Sequence, residues 1–154
     1  MKKVAWKKVS QYEGPKESPG FLLWQVSTEW RRGIEVALAK FGLTHPQFVL
    51  LASLGWLTKN QDNVSQVELA KHCRTDITMT SQVLRTLERK GYIERLQKKD
   101  DQRAKFSSLT ECGAILVEQA VQAVEEVDEN FFKKLGKSQT KLIQLLGKLA
   151  YDDS

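Results

Sequence analysis

Between Ser65 and Leu109 three short segments follow one another with their boundaries set by residue type, and this run limits the fold more than any other part of the chain. Ser65 with Glu68 three residues on is an S-x-x-E capping box: the hydroxyl accepts from the third helical amide and the carboxylate returns to the cap's own amide. It predicts a short helix from Gln66 to about His72. Asp76 predicts a cap for a second helix over 77 to 90, closed by Gly91. Beyond Gly91, "YIERLQKK" and "RAKFSSL" alternate partially and are separated by "DDQ", which reads as a β-hairpin with a polar tip.

The second helix sorts its residues into two sides. Thr80, Val83, Leu84 and Leu87 fall at helical spacing and are expected to pack inward; Thr78, Ser81, Gln82, Arg85, Thr86 and Arg89 fall opposite. That outer set is hydroxyl, amide and guanidinium, read here as free of carboxylates, as a surface facing base edges and phosphates needs. Gln82 suits a bidentate pair with adenine, and Arg85 suits guanine or a phosphate. A solvated helix face has the same composition in general; a short capped helix before it and a basic hairpin after it favour the DNA-reading alternative. The order is that of a helix-turn-helix with a wing, whose second helix enters the major groove. In the hairpin, Lys98, Lys99, Arg103 and Lys105 are the expected phosphate or groove contacts. Asp101, two residues before Arg103, can accept from that guanidinium and hold it extended; Asp100 reads as a turn residue.

Charge is distributed to match. The formal net charge is +5 over 154 residues, and residues 71 to 105 alone hold ten Lys or Arg against five Asp or Glu. Residues 111 to 130 hold six acidic residues and no Lys or Arg, while the first 16 hold five lysines against one glutamate. Such patterning points to an anionic partner rather than to solubility alone.

Helical periodicity surrounds the central run. Ser18 and Pro19 suit a helix start, followed by apolar Leu22, Leu23, Val26, Trp30, Ile34, Ala37, Leu38 and Phe41 and a possible stop at Gly42. Thr44 and Pro46 open a helix that is apolar almost all round and is therefore expected to be central. Thr110 predicts the cap of a helix from Glu111 to about Leu135 with two apolar lines, which suggests more than one packing neighbour, a partner chain among them. Ser138 is expected to cap a last amphipathic helix. The stretch "SQYEGPKESPG" has two Pro-containing turns and no helical period, and residues 1 to 17 read as a loosely attached basic arm.

Other classes are poorly supported. The two cysteines, Cys73 and Cys112, form no CxxC and have no His pair at ligand spacing, so neither a metal site nor a disulfide framework is expected. A reducing cytosol fits them. "MKKVAWKKV" lacks a following apolar region, and "FVLLASLGWL" is too short to span a bilayer; the expected location is cytoplasmic. There is no Gly-rich phosphate loop and no Ser/His/Asp set, and only His45 and His72 are available, so no enzyme and no cofactor are expected.

From about Phe21 to Tyr151 the chain resembles the MarR-type multiple antibiotic resistance regulators. The resemblance is most specific over "DITMTSQVLRTLERKGYIERLQKKDDQRAKFSSLTECG", where Leu87, Gly91, Asp101 with Arg103, and Leu109, Thr110 with Gly113 match the family's leucine, turn glycine, D-x-R wing tip and LT-x-x-G helix start. Leu43, Thr44, Gln47 and Phe48 look like its second-helix entry. The resemblance implies a mainly α fold with a small β-hairpin wing: a winged helix-turn-helix over 43 to 110 that binds double-stranded DNA, and dimerization helices over 18 to 42 and 111 to 154. It implies a homodimer on a pseudo-palindromic operator, usually repressing, with the wing arginine in the minor groove and a small aromatic or anionic effector between the two parts. Many members carry arginine where this chain has Gln82, so base preference does not transfer. Some relatives sense oxidants through a cysteine near the first helix; this chain has none before Cys73, which reads either as a thiol with pKa lowered by Arg74 or as a half-buried structural residue.

Trp24, Trp30, Arg31, His45, Phe48 and Trp56 could line an effector pocket, with Arg31 or Arg32 for a carboxylate; aromatics at helical spacing are more often the ordinary content of a core. The alternative function is a winged-helix module that binds an acidic protein instead of specific DNA.

Overall fold

The computed structural model describes residues 1–98 and 101–151, and the side chains of all of these except residues 97, 98 and 101–104. Lys99 and Asp100 therefore lie outside the described residues, as do the side chains of Lys98, Asp101 and Arg103. The helices are α1 (Trp6–Val9), α2 (Pro19–Ala39), α3 (His45–Leu57), α4 (Gln66–Cys73), α5 (Ile77–Arg89), α6 (Glu111–Phe132) and α7 (Gln139–Ala150); the strands are β1 (Val64–Ser65), β2 (Ile93–Lys98) and β3 (Asp101–Leu109).

The expected caps form where the side chain can reach an orphan amide. Ser18 accepts from Phe21 at the start of α2. Thr44 with Gln47 forms a capping box on α3, and Ser65 with Glu68 forms the one on α4. Asp76 accepts from the Met79 amide at 2.8 Å, and Thr110 accepts from that of Gly113 at 3.0 Å. Each arrangement satisfies amides that the first helical turn leaves unpaired. Ser138 departs from expectation: its backbone is already helical and its side chain caps nothing. The reason lies just before it, where α6 gives way at Phe132 to a 3-10 stretch, Lys133–Ser138, bent at Gly136 (φ 50°). The chain thus enters α7 from a helical turn, a geometry in which a cap side chain has no free amide in front of it.

The arm also differs: Trp6–Val9 forms one helical turn and Pro15–Glu17 a 3-10 turn, neither with a buried residue. The hairpin gains a neighbour that local patterning does not announce. Val64 and Ser65 pair antiparallel with Ser107 and Phe106, giving a three-stranded sheet in the order β1-β3-β2. Two residues are too few to show alternation, so only the partner strand reveals them as a strand.

The core is built where these elements meet. Ile34 and Leu38 of α2, Leu50, Leu51 and Leu54 of α3, Leu69 of α4, Leu84 and Leu87 of α5, Ile93 of β2, and Ala120 and Val124 of α6 form one buried cluster. With three leucines fully shielded, α3 is the central helix its composition predicts. The apolar residues at the start of α2, among them Leu23 and Trp24, remain exposed, as do Ile143, Leu145, Leu146 and Leu149 of α7.

One close approach joins the long helix to the reading unit. Thr110 Oγ1 donates to the Gly91 carbonyl at 2.7 Å, and its amide donates to that of Tyr92 at 3.1 Å. This draws the first turn of α6 so near that a Cβ on Gly113 would sit 1.9 Å from the Tyr92 carbonyl oxygen. The glycine of the LT-x-x-G pattern is thus required by space.

Candidate nucleic-acid interface

Helix α5 is held from behind and open in front. Thr80, Leu84 and Leu87 are fully buried and Val83 half-buried. The Thr80 hydroxyl, which would otherwise be an unpaired polar group in the core, donates to the Asp76 carbonyl at 2.8 Å and meets Thr75 Oγ1 at 2.7 Å. On the other side Thr78, Gln82, Arg85 and Arg89 are exposed, and Ser81 and Thr86 half-exposed. Arg85 Nη2 donates to Ser81 Oγ at 3.3 Å and Arg89 Nη2 to Thr86 Oγ1 at 3.1 Å. Each bond uses one of five guanidinium donors, so both side chains are steadied while most of their donors still face outward.

This face is not free of carboxylates. Glu88 borders it, in a shallow depression shared with Gln82, Arg85, Thr86 and Arg89. The helical wheel places Glu88 at the boundary between the two sides, so periodicity alone assigns it to neither. Arg95 of β2 stands 3.7 Å from its carboxylate. Alternation from buried Ile93 puts Arg95 on the inner face of the strand, a signal present in "YIERL" but absent from the expected site.

The hairpin follows α5 directly: Ile93 pairs with Leu109, Arg95 with Ser107 and Gln97 with Lys105, and a register shift follows at Gln97 and Lys98. Lys105 is half-buried on β3. Lys98, Lys99, Asp101 and Arg103, the other wing residues expected to meet DNA, fall outside the side chains described.

The proposed pocket residues separate. Trp30 Nε1 donates to Asp128 Oδ1 of α6 at 2.7 Å, and its ring meets His45 edge-on at 5.3 Å. Burial lowers the His45 pKa from its ordinary 6.5, and the Arg31 charge lowers it further against the opposing pull of Glu35 and Asp128. Phe48 is half-buried and packs on the core. Trp24 and Trp56 are 67% and 64% exposed, the latter beneath the Lys59 ammonium at 4.4 Å. Asp128 and Glu35 belong with Trp30 and His45 but are not among the expected pocket residues; Asp128 lies 98 residues from Trp30, so no local spacing connects them. Cys73 is half-buried, and burial pushes its thiol up, with a smaller opposing effect of its hydrogen bond with Ser53, the opposite of a lowering by Arg74.

Among the described residues no group of three or more His, Cys, Asp or Glu could hold a metal ion. No described helix is long and apolar enough to cross a membrane.

The MarR family model matches residues 43–105, a span that takes in α3, the α4–α5 pair and β2. Over 133 residues the chain is 45% identical to the HTH-type transcriptional regulator YdcH of Bacillus subtilis, covering 86% of this chain and 90% of YdcH. The chain belongs to the MarR family. This MarR-type protein is a transcriptional regulator with a DNA-binding winged helix-turn-helix, and the relatives it is similar to are regulators, not enzymes. It is 31% identical over 134 residues to the HTH-type transcriptional repressor Rv2887 of Mycobacterium tuberculosis, covering 86% of this chain and 94% of the repressor. Rv2887 has been solved in complex with salicylic acid, and that structure matches with a TM-score of 0.64 at 30% identity, over 86% of this chain and 96% of that one. A mutant of E. coli MarR solved with operator DNA matches with a TM-score of 0.74 at 27% identity, over 85% and 91%.

Proposed function

We propose that the protein acts as a homodimeric repressor whose two α5 helices enter successive major grooves of a pseudo-palindromic operator, with the β2–β3 wings on the flanking backbone. The observation that carries the reading is the outward face of α5, where Gln82, Arg85 and Arg89 keep spare donors on the side opposite buried Thr80, Leu84 and Leu87. The hairpin, basic in sequence, follows α5 directly in the chain. A mutant of E. coli MarR, to which the chain is similar, has been solved with operator DNA. Dimerization is supported by the large apolar side chains that α2 and α7 leave exposed, Leu23, Trp24, Ile143, Leu146 and Leu149 among them. Within this reading residues 43 to 110 read DNA, the helices on either side join the two subunits, and the cytoplasm is the working compartment.

Release by a small aromatic or anionic effector is part of the proposal. Support comes from the Trp30 ring against His45, from the Arg31 charge that acts on His45, and from Rv2887, which has been solved in complex with salicylic acid. Trp24 and Trp56 remain candidates from the exposed side.

The test is the salt dependence of binding to a duplex selected from a random pool. A dimer making about 8 phosphate contacts gives a slope of log K against log salt near −7. Half-sites should be centred about one helical turn apart. A flat salt response with no enriched half-site would overturn DNA reading in favour of a protein-binding winged helix.

A further inference from the structure

The sheet places an arginine where a strand would normally bury an apolar side chain. Val64, Ser107 and Arg95 are paired in one row across β1, β3 and β2. Directly opposed residues of antiparallel strands point to the same face. Val64 and Ser107 are each 1% exposed, and the Arg95 side chain 12%. The small Ser107 leaves room for the arginine stem beside it, and its hydroxyl and Arg95 Nε are both buried without a partner among the described residues.

The other two guanidinium nitrogens reach different helices. Nη2 donates to Gln66 Oε1 at 3.2 Å, in the first residue of α4. Gln66 Nε2 in turn donates to the Ile77 carbonyl at 3.5 Å, in the first residue of α5. Nη1 stands 3.7 Å from Glu88 Oε2, in the last turn of α5. One side chain rooted in the wing thus touches α4 directly, α5 at its far end, and α5 at its near end through Gln66. A planar fork of donors can do this; a single ammonium cannot.

Glu88 gives this bridge a second consequence. Its side chain is 44% exposed, in the depression lined by Gln82, Arg85, Thr86 and Arg89. An ion pair so exposed adds little to folding stability. Its carboxylate nevertheless stands where DNA phosphates are expected, and uncompensated it would repel them.

We propose that Arg95 is a positioning residue for DNA binding: it sets the wing against α5 and offsets the Glu88 charge, so that the face offered to phosphates stays cationic. The inference rests on the DNA-binding reading above and adds to it a residue that need not touch DNA.

The experiment compares wild type, Arg95→Met, Arg95→Lys and the Arg95→Met/Glu88→Gln double variant. Melting temperature and affinity for the duplex selected by the wild type are measured at low and physiological salt. Methionine keeps an unbranched stem and removes the cation, so Arg95→Met should bind about tenfold more weakly, with the larger loss at low salt. Adding Glu88→Gln should restore most of that loss, a rescue that a purely structural role would not produce. Arg95→Lys keeps a charge near Glu88 but gives up the fork, and should lose about threefold. Should Arg95→Met fail to fold, the lysine variant decides: several-fold weaker binding supports the proposal and wild-type affinity overturns it. Wild-type affinity in folded Arg95→Met, or a loss that Glu88→Gln leaves untouched and that follows the fall in melting temperature, also overturns it. If the wild type itself selects no duplex, the DNA-binding reading fails instead, and that outcome is distinct.

Discussion

Replacing Gly113 by alanine adds one methyl group where the backbone leaves no room for it. The new Cβ would lie 1.9 Å from the Tyr92 carbonyl oxygen and 2.8 Å from its carbon. Ordinary non-bonded carbon contacts begin near 3.5 Å, so the first turn of α6 and the Gly91–Tyr92 turn must separate by more than about 1 Å. Separation on that scale strains the two bonds that join them, Thr110 amide to Tyr92 carbonyl at 3.1 Å and Thr110 hydroxyl to Gly91 carbonyl at 2.7 Å. Each is worth about 0.5–1.5 kcal/mol, and overpacking at a rigid contact costs about 1–3 kcal/mol. Against these stands the helix preference of alanine over glycine, up to about 1 kcal/mol. The net expectation is a loss of about 2–4 kcal/mol, or a melting temperature lower by about 5–15 °C for a chain of this size. The contrast is Gly33→Ala, whose Cβ would meet only the Val127 Cγ1 methyl at 3.0 Å. A side-chain methyl can yield, so this change should stay within about 1 kcal/mol of wild type. Thermal and urea unfolding followed by circular dichroism, at one fixed protein concentration, measure both. A Gly113→Ala protein as stable as wild type would show that the Thr110 anchor does not hold α6 against the turn, and the steric account would be refuted.

Other outcomes follow from the interface. Arg85→Ala should weaken DNA binding by about 1–3 kcal/mol with relaxed base preference, whereas Lys105→Ala should weaken all duplexes alike and reduce the salt slope by about 1 unit, as titrations against matched and mismatched sites would show. Asp101→Asn should weaken binding despite removing negative charge, while Asp100→Asn leaves it unchanged or slightly stronger; equal tightening by both, read by the same titrations, would leave only bulk charge at the wing tip. His45 has a pKa below its ordinary 6.5 in the folded protein. As pH falls through about 6.5 the unfolded chain therefore takes up a proton that the folded chain resists, and stability drops until the folded value is passed. Unfolding curves between about pH 5 and 8 should show this slope, and His45→Gln should flatten it.

Features carried by near neighbours in the chain are legible in the order of residues. Ser65 with Glu68, Thr44 with Gln47, and Asp76 with Met79 act across one helical turn, and the wheel of α5 separates its buried and exposed sides apart from Glu88 at the margin. The order and type of the main elements, the cationic reading face and the family resemblance all rest on patterns of this kind. Four other features depend on the folded chain: that Val64 and Ser65 are a strand, that Trp30 bonds Asp128, that Arg95 joins the wing to both helices of the reading unit, and that Gly113 is glycine because Tyr92 lies against it. Most of these contacts join residues far apart in the chain. Capping and amphipathicity are energies of adjacent residues and leave a local pattern, whereas a cross-strand row or a helix resting on a turn exists only once the chain has closed the loop between its parts.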